Sequence, residues 1–324
     1  MTKTDIHFRV LLHGLVYFCR QFPKLLASPE WEFRHFDPNK PSRLLPAAAY
    51  LQKCDLAYSW GGRLTLGKFL SVARFFRKKK LIMFWCGSDT LEARKDYEAG
   101  QGDPWVADKI HWAGSPWLAE EVRAMGLACE YVPSTWVDVP AFLPPLPKKF
   151  SILIHLPSAT RMELYGIDHV FEVARRTPNV AFNVVGILPG ESLRGPENVT
   201  VHGRVPSMQP FIRNASVIWR PARHDGLSFF ALEALGHGRH LLWSYPFTGA
   251  VVARDATSGY AEIQRLHDLH ERGLLGINQA GADHIAQHFT PATIRDGLLS
   301  RWKHIIGLQV NARGMRYCDD RPIR

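Results

Sequence analysis

Short apolar runs alternate along the chain with segments of helical hydrophobic spacing, a pattern that predicts parallel β-sheets joined by crossover helices. In the first half, strands are predicted over 8–14, 56–60, 81–87, 109–114 and 129–133, and helices near 64–79 and over 115–126. Ser115 and Pro116 stand where the cap and first turn of the second helix are expected. The apolar stretch 10–19 is predicted to open with a buried strand rather than a secretion signal, because His13 and Gly14 interrupt it.

A proline-rich segment, 138–150, predicts a boundary between two domains, because its four prolines exclude regular structure. The pattern then restarts, with strands predicted over 151–156, 181–186, 199–203, 216–221 and 240–244, and helices over 165–177, 206–214, 228–236, 259–272 and 293–308. We therefore predict an N-terminal Rossmann-like domain over 1–147 and a C-terminal one over 148–300. The remaining helix and tail, 301–324, are expected to pack back toward the first domain.

Composition agrees with a globular chain of two domains. Its 324 residues are too many for one ordinary core, and 46% hydrophobic with 22% charged residues excludes a disordered or fibrous protein. No apolar run approaches the ~18 residues needed to cross a bilayer. The five cysteines are scattered without metal or redox spacing, which indicates reduced thiols and a cytoplasmic location.

The net charge of +10 favours partners that carry phosphate, acidic lipids or nucleic acid. The basic stretch Arg74–Lys80 is predicted to end the helix over 64–79. Such a face binds an anionic membrane surface, here the inner face of the membrane, and a solvated helix end is the alternative. Nucleic acid is not expected as a partner, because no recognised motif accompanies the charge.

The segment 198–238 combines two predicted strands, a polar loop and a helix whose predicted N-cap is Ser228. A helix N-terminus that follows a strand end is where α/β sheets bind phosphorylated ligands. The backbone amides over 226–229 are therefore expected to donate to a diphosphate. Asp225 and Glu233 supply acceptors for sugar and ribose hydroxyls.

The same segment resembles the nucleotide-sugar signature of retaining GT-B glycosyltransferases (the family-four-like, group 1 enzymes). The matching residues are Asp225, Gly226, Leu227, Glu233, Ala234 and Gly238. The resemblance implies an α/β, GT-B fold: two Rossmann-like domains with parallel sheets facing across a cleft. It also implies metal-independent transfer of a sugar from a nucleoside diphosphate sugar to a hydroxyl acceptor, a glycan or a lipid-linked glycan, with no further cofactor.

The resemblance also assigns expected roles to individual residues. Asp225 would contact the donor sugar and Glu233 the ribose, whereas Gly203 and Arg204 would border the nucleobase. Gly226, Leu227 and Ser228 would form the loop that holds the donor. The resemblance is good over 180–250 and thin in the N-terminal half.

An arginine and a lysine that neutralise the donor diphosphate are also implied, after the first strand of the C-terminal domain. Arg161 corresponds to the arginine, whereas Tyr165 stands where the lysine is expected. Neutralisation matters because the leaving diphosphate gains negative charge as the glycosidic bond breaks. Arg223, or a basic residue of the N-terminal domain, is a candidate substitute for the lysine.

Two N-terminal residues are further candidates. Asp89 follows the strand over 81–87 and is expected either to orient an acceptor hydroxyl or the transferring sugar, or to cap the next helix. Gly14 allows either a close approach of the backbone to a phosphate or a simple turn.

Two alternative functions are also consistent with the sequence. The chain is alternatively another GT-B-fold enzyme, such as a nucleotide-sugar epimerase or a phosphorylase, or a glycosyltransferase-like binding protein with weak or lost catalysis. The histidine pairs His267/His270 and His284/His288 are expected to be surface residues of helices. Asp319 and Asp320 of the tail resemble a metal-binding pair only superficially, and no metal site is expected.

Overall fold

The structure is a computed structural model that describes residues 8–37 and 44–312. The chain divides into two compact units: unit 1 comprises Met1–Ser134 and Ile294–Arg324, and unit 2 comprises Thr135–Thr293. The sequence-based domains end at residues 147 and 300, whereas the unit boundaries follow residues 134 and 293. The predicted tail residues Asp319 and Asp320 lie outside the described residues.

Unit 1 is built on a six-stranded parallel sheet flanked by helices. Its strands are β1 (Phe8–His13), β2 (Trp31–Phe36), β3 (Leu56–Trp60), β4 (Lys80–Trp85), β5 (Ile110–Ala113) and β6 (Cys129–Tyr131). Its first helices are α1 (Val16–Leu25), α2 (Leu44–Lys53), α3 (Lys68–Ala73), α4 (Ser88–Glu98), α5 (Pro104–Ala107) and α6 (Pro116–Ala124). The strand order is β2-β1-β3-β4-β5-β6, so the order reverses between β1 and β3.

Burial explains why the sequence analysis found the central strands of unit 1 and missed an edge. Every residue of β3 is buried, and so is all of β4 after Lys80, because parallel strands are covered on both faces and read as continuous apolar runs. The edge strand β2 mixes apolar and charged residues, and its burial varies along its length. It was missed, as were α1 and α2.

Unit 2 repeats the same architecture with a second six-stranded parallel sheet. Its strands are β7 (Ser151–His155), β8 (Ala181–Val185), β9 (Val199–Val201), β10 (Val217–Arg220), β11 (His240–Trp243) and β12 (Ala250–Val252). Its helices are α7 (Ile167–Arg176), α8 (Gln209–Arg213), α9 (Phe229–Gly236), α10 (Ala256–Glu271) and α11 (Gln279–His288), and α12 (Pro291–Ala312) follows. The strand order is β12-β11-β10-β7-β8-β9. The predicted strands and helices of this half are confirmed, and β12 and α11 are additions.

The core of unit 2 forms where α7 and α10 cover the sheet. Trp219 of β10 is fully buried in this core, and its indole nitrogen donates to the carbonyl of Ala253 at 3.2 Å. Gly259 of α10 lies against the same ring, where a Cβ atom would stand 2.1 Å from an indole carbon. A side chain at 259 would therefore force α10 away from the sheet.

The proline-rich segment, 138–150, contains no regular structure, as predicted, and a buried arginine attaches it to unit 2. Arg239 is 0% exposed and donates to the carbonyl oxygens of Pro144, Pro145, His237 and Ala215. A guanidinium can serve several carbonyls at once because its five N–H groups spread over one plane. The path of the segment therefore depends on this side chain.

The later part of α12 belongs to unit 1 and packs on its sheet. Trp302 is fully buried, with its ring centroid 5.8 Å from that of Trp31 and 5.2 Å from that of Tyr58. Lys303 pairs with Glu30 at 2.7 Å at the edge of this contact. Aromatic burial on this scale is a large stabilising term for unit 1.

The helix predicted over 64–79, with Arg74–Lys80 as its basic end, is wrong. The helix α3 ends at Ala73, residues 74–79 form turns, and Lys80 opens β4. At the end of these turns, the ammonium of Lys79 donates to the carbonyls of Gln52 and Cys54 at 2.9 and 2.6 Å. These carbonyls lie at the end of α2, where a cation also complements the helix dipole.

Ser115 occupies the N-cap position of α6, as predicted, but its side chain makes no capping hydrogen bond. Its buried hydroxyl has no hydrogen-bond partner among the described residues.

Within the described part of the chain, no helix is both long and apolar enough to cross a membrane.

Candidate functional site

The order of the strands in unit 2 reverses between β7 and β10. Crevices at the carboxyl ends of strands beside such a reversal are where open α/β sheets bind ligands. His155 ends β7 and Arg220 ends β10, so both lie at this edge. The loop after β10 then leads into α9, whose first turn begins at Phe229.

A nearly buried ion pair stands at the end of β10. Arg220 and Asp225 have side chains only 7% and 11% exposed, and two guanidinium nitrogens donate to the two carboxylate oxygens, Nη2 to Oδ1 at 2.8 Å. The indole of Trp243 also donates to Oδ2, at 3.3 Å. Burial lowers the pKa of Arg220, but the charge and hydrogen bonds of Asp225, and then those of Tyr165, outweigh it and raise the pKa overall. The arginine is therefore charged at any physiological pH.

Tyr165, which replaces the expected lysine, lies against two arginines. The guanidinium carbon of Arg161 is 5.5 Å from the centroid of the Tyr165 ring, and that of Arg220 is 5.1 Å from it. Arg161 is exposed, whereas the Nη1 atom of Arg220 is buried and has no hydrogen-bond partner among the described residues. We call Arg161, Tyr165 and Arg220 the tyrosine-arginine cluster.

Arg223, the candidate substitute for the lysine, is engaged elsewhere. Its guanidinium pairs with Asp168 at 2.6 Å and donates to the carbonyl of Glu163, both on the α7 side of the unit. Hydrogen bonding to Arg223 holds the pKa of Asp168 below its usual range. This pair ties the loop after β10 to α7.

His155 contributes a neutral ring to the same edge. Burial, and then the positive charge of Arg220, lower its pKa to about 4. The ring is 5.5 Å from that of Phe230 and lies against Gly186, where a Cβ atom would stand 2.7 Å from it. The imidazole therefore stays uncharged at neutral pH beside the arginine.

The N-terminus of α9 forms as predicted, with Ser228 as its N-cap. The Ser228 hydroxyl accepts a hydrogen bond from the amide of Ala231 at 3.3 Å. Gly226 and Leu227 are buried in the preceding loop, and the Leu227 carbonyl accepts from the hydroxyl of Thr135 at 3.3 Å. The loop is therefore held in place, with the first amides of α9 at its end.

Glu233 lies one turn into α9 and is half-buried. Burial, and then the negative charge of Asp138, raise its pKa above the usual range. No hydrogen bond to its carboxylate occurs among the described residues. A half-buried acceptor of this kind suits a ligand hydroxyl.

Gly203 and Arg204 follow β9, at the far side of the sheet. Gly203 has a φ of 65° and its carbonyl accepts from the amide of Gly186 at 2.7 Å. With neighbouring strands ~4.8 Å apart, β9 lies roughly 14 Å from β10 across the sheet. The predicted residues of unit 2 therefore line one edge of the sheet, with Arg161 and Asp225 at its centre and Gly203 and Arg204 at one end.

Asp89 and Gly14 belong to unit 1, where a cavity of about 760 Å³ opens at the carboxyl ends of β1 and β3. This is again the place where the strand order reverses. Its walls carry charged side chains of both signs, namely Arg63, Lys68, Glu92 and Asp96.

His13 also lines this cavity and was not singled out from the sequence. Its ring stacks on Phe69 with centroids 3.9 Å apart, and its Nδ1 is 2.9 Å from the hydroxyl of Ser59. Burial, and then the charge of Arg63, lower its pKa to about 3. The imidazole is a fixed, neutral hydrogen-bonding group, and its pKa is too low for an efficient general base.

Asp89 holds the loops around the cavity. Its carboxylate accepts from the amides of Gly62 at 2.7 Å, Cys86 at 3.0 Å and Gly87 at 2.7 Å. Gly14 allows a close approach to Trp60, since a Cβ atom there would stand 1.9 Å from the Trp60 carbonyl oxygen. Both residues therefore shape the cavity through the backbone.

Replacing Asp89 by asparagine is expected to lower the free energy of unfolding by about 2 kcal/mol, because charge-assisted hydrogen bonds to buried amides are lost. Chemical denaturation measures the change. Asp108→Asn is the matched control, since that side chain is 84% exposed. Equal unfolding free energies for the two variants would contradict the role given to Asp89.

Two parallel six-stranded sheets, each with polar residues where its strand order reverses, form the fold of GT-B glycosyltransferases. Sucrose-phosphate synthase from Thermosynechococcus elongatus has a TM-score of 0.68 and 13% identity, over 93% of this chain and 100% of that chain. HepE from Anabaena, solved with UDP and glucose, has a TM-score of 0.65 and 13% identity, over 92% and 100%. A glycosyltransferase from Rickettsia africae has a TM-score of 0.63 and 10% identity, over 92% and 98%.

These identities establish a likeness of fold, and the predicted fold class is thereby confirmed. No protein-family model matches the sequence, and no curated protein matches it. Within the described residues, no three His, Cys, Asp or Glu side chains are grouped so that they could hold a metal ion.

Proposed function

We propose that this protein is a retaining glycosyltransferase that moves a sugar from a nucleoside diphosphate sugar to a hydroxyl acceptor. The observation that carries the proposal is the set of polar groups at the β7/β10 edge of unit 2. There, permanently charged arginines, a helix N-terminus and a half-buried carboxylate occupy one edge of the sheet. Arginines and a helix N-terminus bind phosphate, and a carboxylate accepts hydrogen bonds from the hydroxyls of a sugar or ribose.

In the proposed donor complex, Glu233 accepts hydrogen bonds from the ribose hydroxyls. Gly203 and Arg204 border the nucleobase, and Gly226, Leu227 and Ser228 present the backbone to the diphosphate. Arg161 pairs with the diphosphate from the exposed side of the tyrosine-arginine cluster. Asp225, in the loop between these groups, borders the donor sugar. HepE, which shares the fold, was solved with UDP and glucose, which agrees with a nucleotide-sugar donor.

In the proposed reaction, the bond between the sugar C1 and the diphosphate oxygen breaks, and C1 forms a bond to the acceptor oxygen on the same face. The acceptor proton passes to the departing diphosphate oxygen, so no protein nucleophile is required. Positive charge near the diphosphate stabilises the leaving group as its negative charge grows. The reaction as proposed uses no catalytic metal.

The cavity of unit 1 is the proposed acceptor site. Its walls carry donors and acceptors of both charge signs around His13, which suits a polyhydroxylated acceptor such as a glycan. A lipid-linked glycan at the cytoplasmic face of the membrane remains part of the proposal because of the segment Arg74–Lys80. In that segment Phe75 is 87% exposed among basic residues, a pattern typical of contact with a membrane surface.

Calorimetry with UDP, GDP and ADP tests the donor site. We expect one of them to bind with a Kd between about 1 μM and 1 mM, the usual range for enzyme substrates. The corresponding nucleotide sugars are then incubated with and without glycan acceptors, and the anomeric configuration of the product is read by NMR.

Four outcomes separate the candidate functions and mechanisms. Binding to none of the diphosphates contradicts a nucleotide-sugar enzyme of any kind. Conversion of the sugar without an acceptor indicates an epimerase, and binding without transfer or hydrolysis indicates a binding protein. An inverted product would contradict the retaining mechanism.

A further inference from the structure

We propose that Arg220 supplies the second positive charge to the donor diphosphate, in place of the lysine that Tyr165 replaces. This inference rests on the proposed function and assigns a specific residue to the diphosphate. The charge then comes from the end of β10 rather than from the loop after β7. Tyr165 and Asp225 are then positioning residues that hold the guanidinium.

Arg220 lies next to the place where the lysine is expected. It ends β10, which pairs directly with β7, so its side chain lies at the point where the strand order reverses. Tyr165 follows β7 in the chain, yet the guanidinium of Arg220 lies 5.1 Å from its ring. A residue from the neighbouring strand thus reaches the place where the lysine is expected.

One nitrogen of the Arg220 guanidinium remains available to a ligand. Asp225 accepts from Nε and Nη2, and this leaves Nη1, which is buried without a partner among the described residues. A buried N–H group without an acceptor is unfavourable, and a ligand oxygen that accepts from it removes that penalty. Phosphate oxygens are strong acceptors for a guanidinium.

The other cations of this edge do not fill the same role. Arg223 is paired with Asp168 and tied to the carbonyl of Glu163. His155 has a pKa of about 4 and is neutral at physiological pH. Arg161 lies against the same tyrosine ring as Arg220, so the two arginines together replace the arginine-lysine pair.

The same contacts give Asp225 a role in orienting the Arg220 guanidinium. Both of its carboxylate oxygens accept from Arg220, and Oδ2 accepts in addition from Trp243. A carboxylate held in this way keeps the guanidinium in one orientation, with Nη1 directed away from the pair. The side chain of Asp225 is one methylene shorter than that of glutamate. This length suits a contact with Arg220, which ends β10 only five residues earlier in the chain.

The test measures the preference for a nucleoside diphosphate over its nucleoside, with the pair chosen from UDP and uridine, GDP and guanosine, or ADP and adenosine. Arg220→Met is expected to reduce this preference roughly 10- to 100-fold while nucleoside binding is unchanged. The double variant Arg220→Met/Tyr165→Lys is expected to recover part of it, because a lysine then stands in the expected place. Arg223→Met is the competing variant and is expected to keep the preference.

Folding is controlled by a second variant. Arg220→Met removes the cation that pairs with the nearly buried carboxylate of Asp225. The double variant Arg220→Met/Asp225→Asn removes both charges, and its free energy of unfolding is expected to match that of the wild type. It is also expected to lose the diphosphate preference. Circular dichroism and thermal unfolding confirm that the compared variants are folded.

The results distinguish this inference from the proposed function. If the wild type binds no diphosphate, the proposed function fails. If it binds one and Arg220→Met/Asp225→Asn keeps the preference, the proposed function stands and the role of Arg220 is wrong. Loss of the preference in Arg223→Met alone would assign the charge to Arg223 instead.

Discussion

Replacing Glu233 by glutamine is expected to weaken binding of the nucleoside diphosphate by about 100-fold, the largest effect of any single change on ligand affinity. The half-buried carboxylate of Glu233 is proposed to accept hydrogen bonds from ribose hydroxyls, and hydrogen bonds to a charged group contribute about 1.5–3 kcal/mol. Glutamine keeps the size of the side chain but offers one neutral acceptor and a donor in its place. Calorimetry on the folded variant measures the change.

Glu172→Gln serves as the control, because that glutamate lies on α7 with its side chain 55% exposed. We expect it to bind the diphosphate like the wild type. An affinity of Glu233→Gln within about twofold of that of the control would exclude Glu233 from the ligand site.

The pH dependence of binding provides a second readout for Glu233. Burial and Asp138 raise the pKa of this carboxyl, so it takes up its proton at a higher pH than an ordinary glutamate does. The acceptor is present above that pKa and is lost below it, so wild-type affinity is expected to fall as the pH decreases through it. Glu233→Gln lacks this titration, so any pH dependence that remains in the variant comes from protonation of the ligand. Parallel pH profiles for the two proteins would contradict the assignment.

Replacing Arg239 by methionine is expected to produce the largest loss of stability, about 3–5 kcal/mol. The fully buried guanidinium donates to four backbone carbonyls, two of them in the proline-rich segment 138–150. Methionine fills a similar volume and donates to none of them, so buried acceptors are left unsatisfied. Urea denaturation followed by tryptophan fluorescence measures the loss.

Two further variants make the Arg239 result specific. Arg239→Lys is expected to be intermediate, since one ammonium group cannot reach carbonyls that a planar guanidinium spans. Arg272→Met, at a side chain 62% exposed, is expected to change the free energy of unfolding by less than about 0.5 kcal/mol. Similar stabilities for Arg239→Met and Arg272→Met would show that the carbonyls find other donors.

The central strands of both sheets were predictable because their signal is local, whereas the edge strands β2 and β12 were not predicted. A strand covered on both faces, such as β4, must be apolar along nearly its whole length, and that run is visible in the sequence. The start of α9 was predictable for the same reason, since the Ser228 cap acts within three residues of itself. The resemblance of Asp225 and Glu233 to a nucleotide-sugar signature is also a feature of one short segment.

The basic stretch Arg74–Lys80 shows where local patterns mislead. Its apolar and basic residues suggest a continuing helix, but Lys79 donates to carbonyls at the end of α2, more than twenty residues earlier in the chain. This tertiary contact holds the chain just before β4, six residues after α3 has ended at Ala73. Helix propensity is a weak preference that such contacts override.

Local sequence patterns specify the alternating α/β architecture, the N-terminus of α9 and the acids that resemble a donor signature, because each depends on neighbouring residues. The groups that meet at the β7/β10 edge depend instead on how the strands pair. Arg220 appears in the sequence as one charged residue ending an apolar strand, and Tyr165 as a missing lysine. The pairing of β10 with β7 brings these residues together across 55 positions of the chain, and no local pattern encodes that pairing.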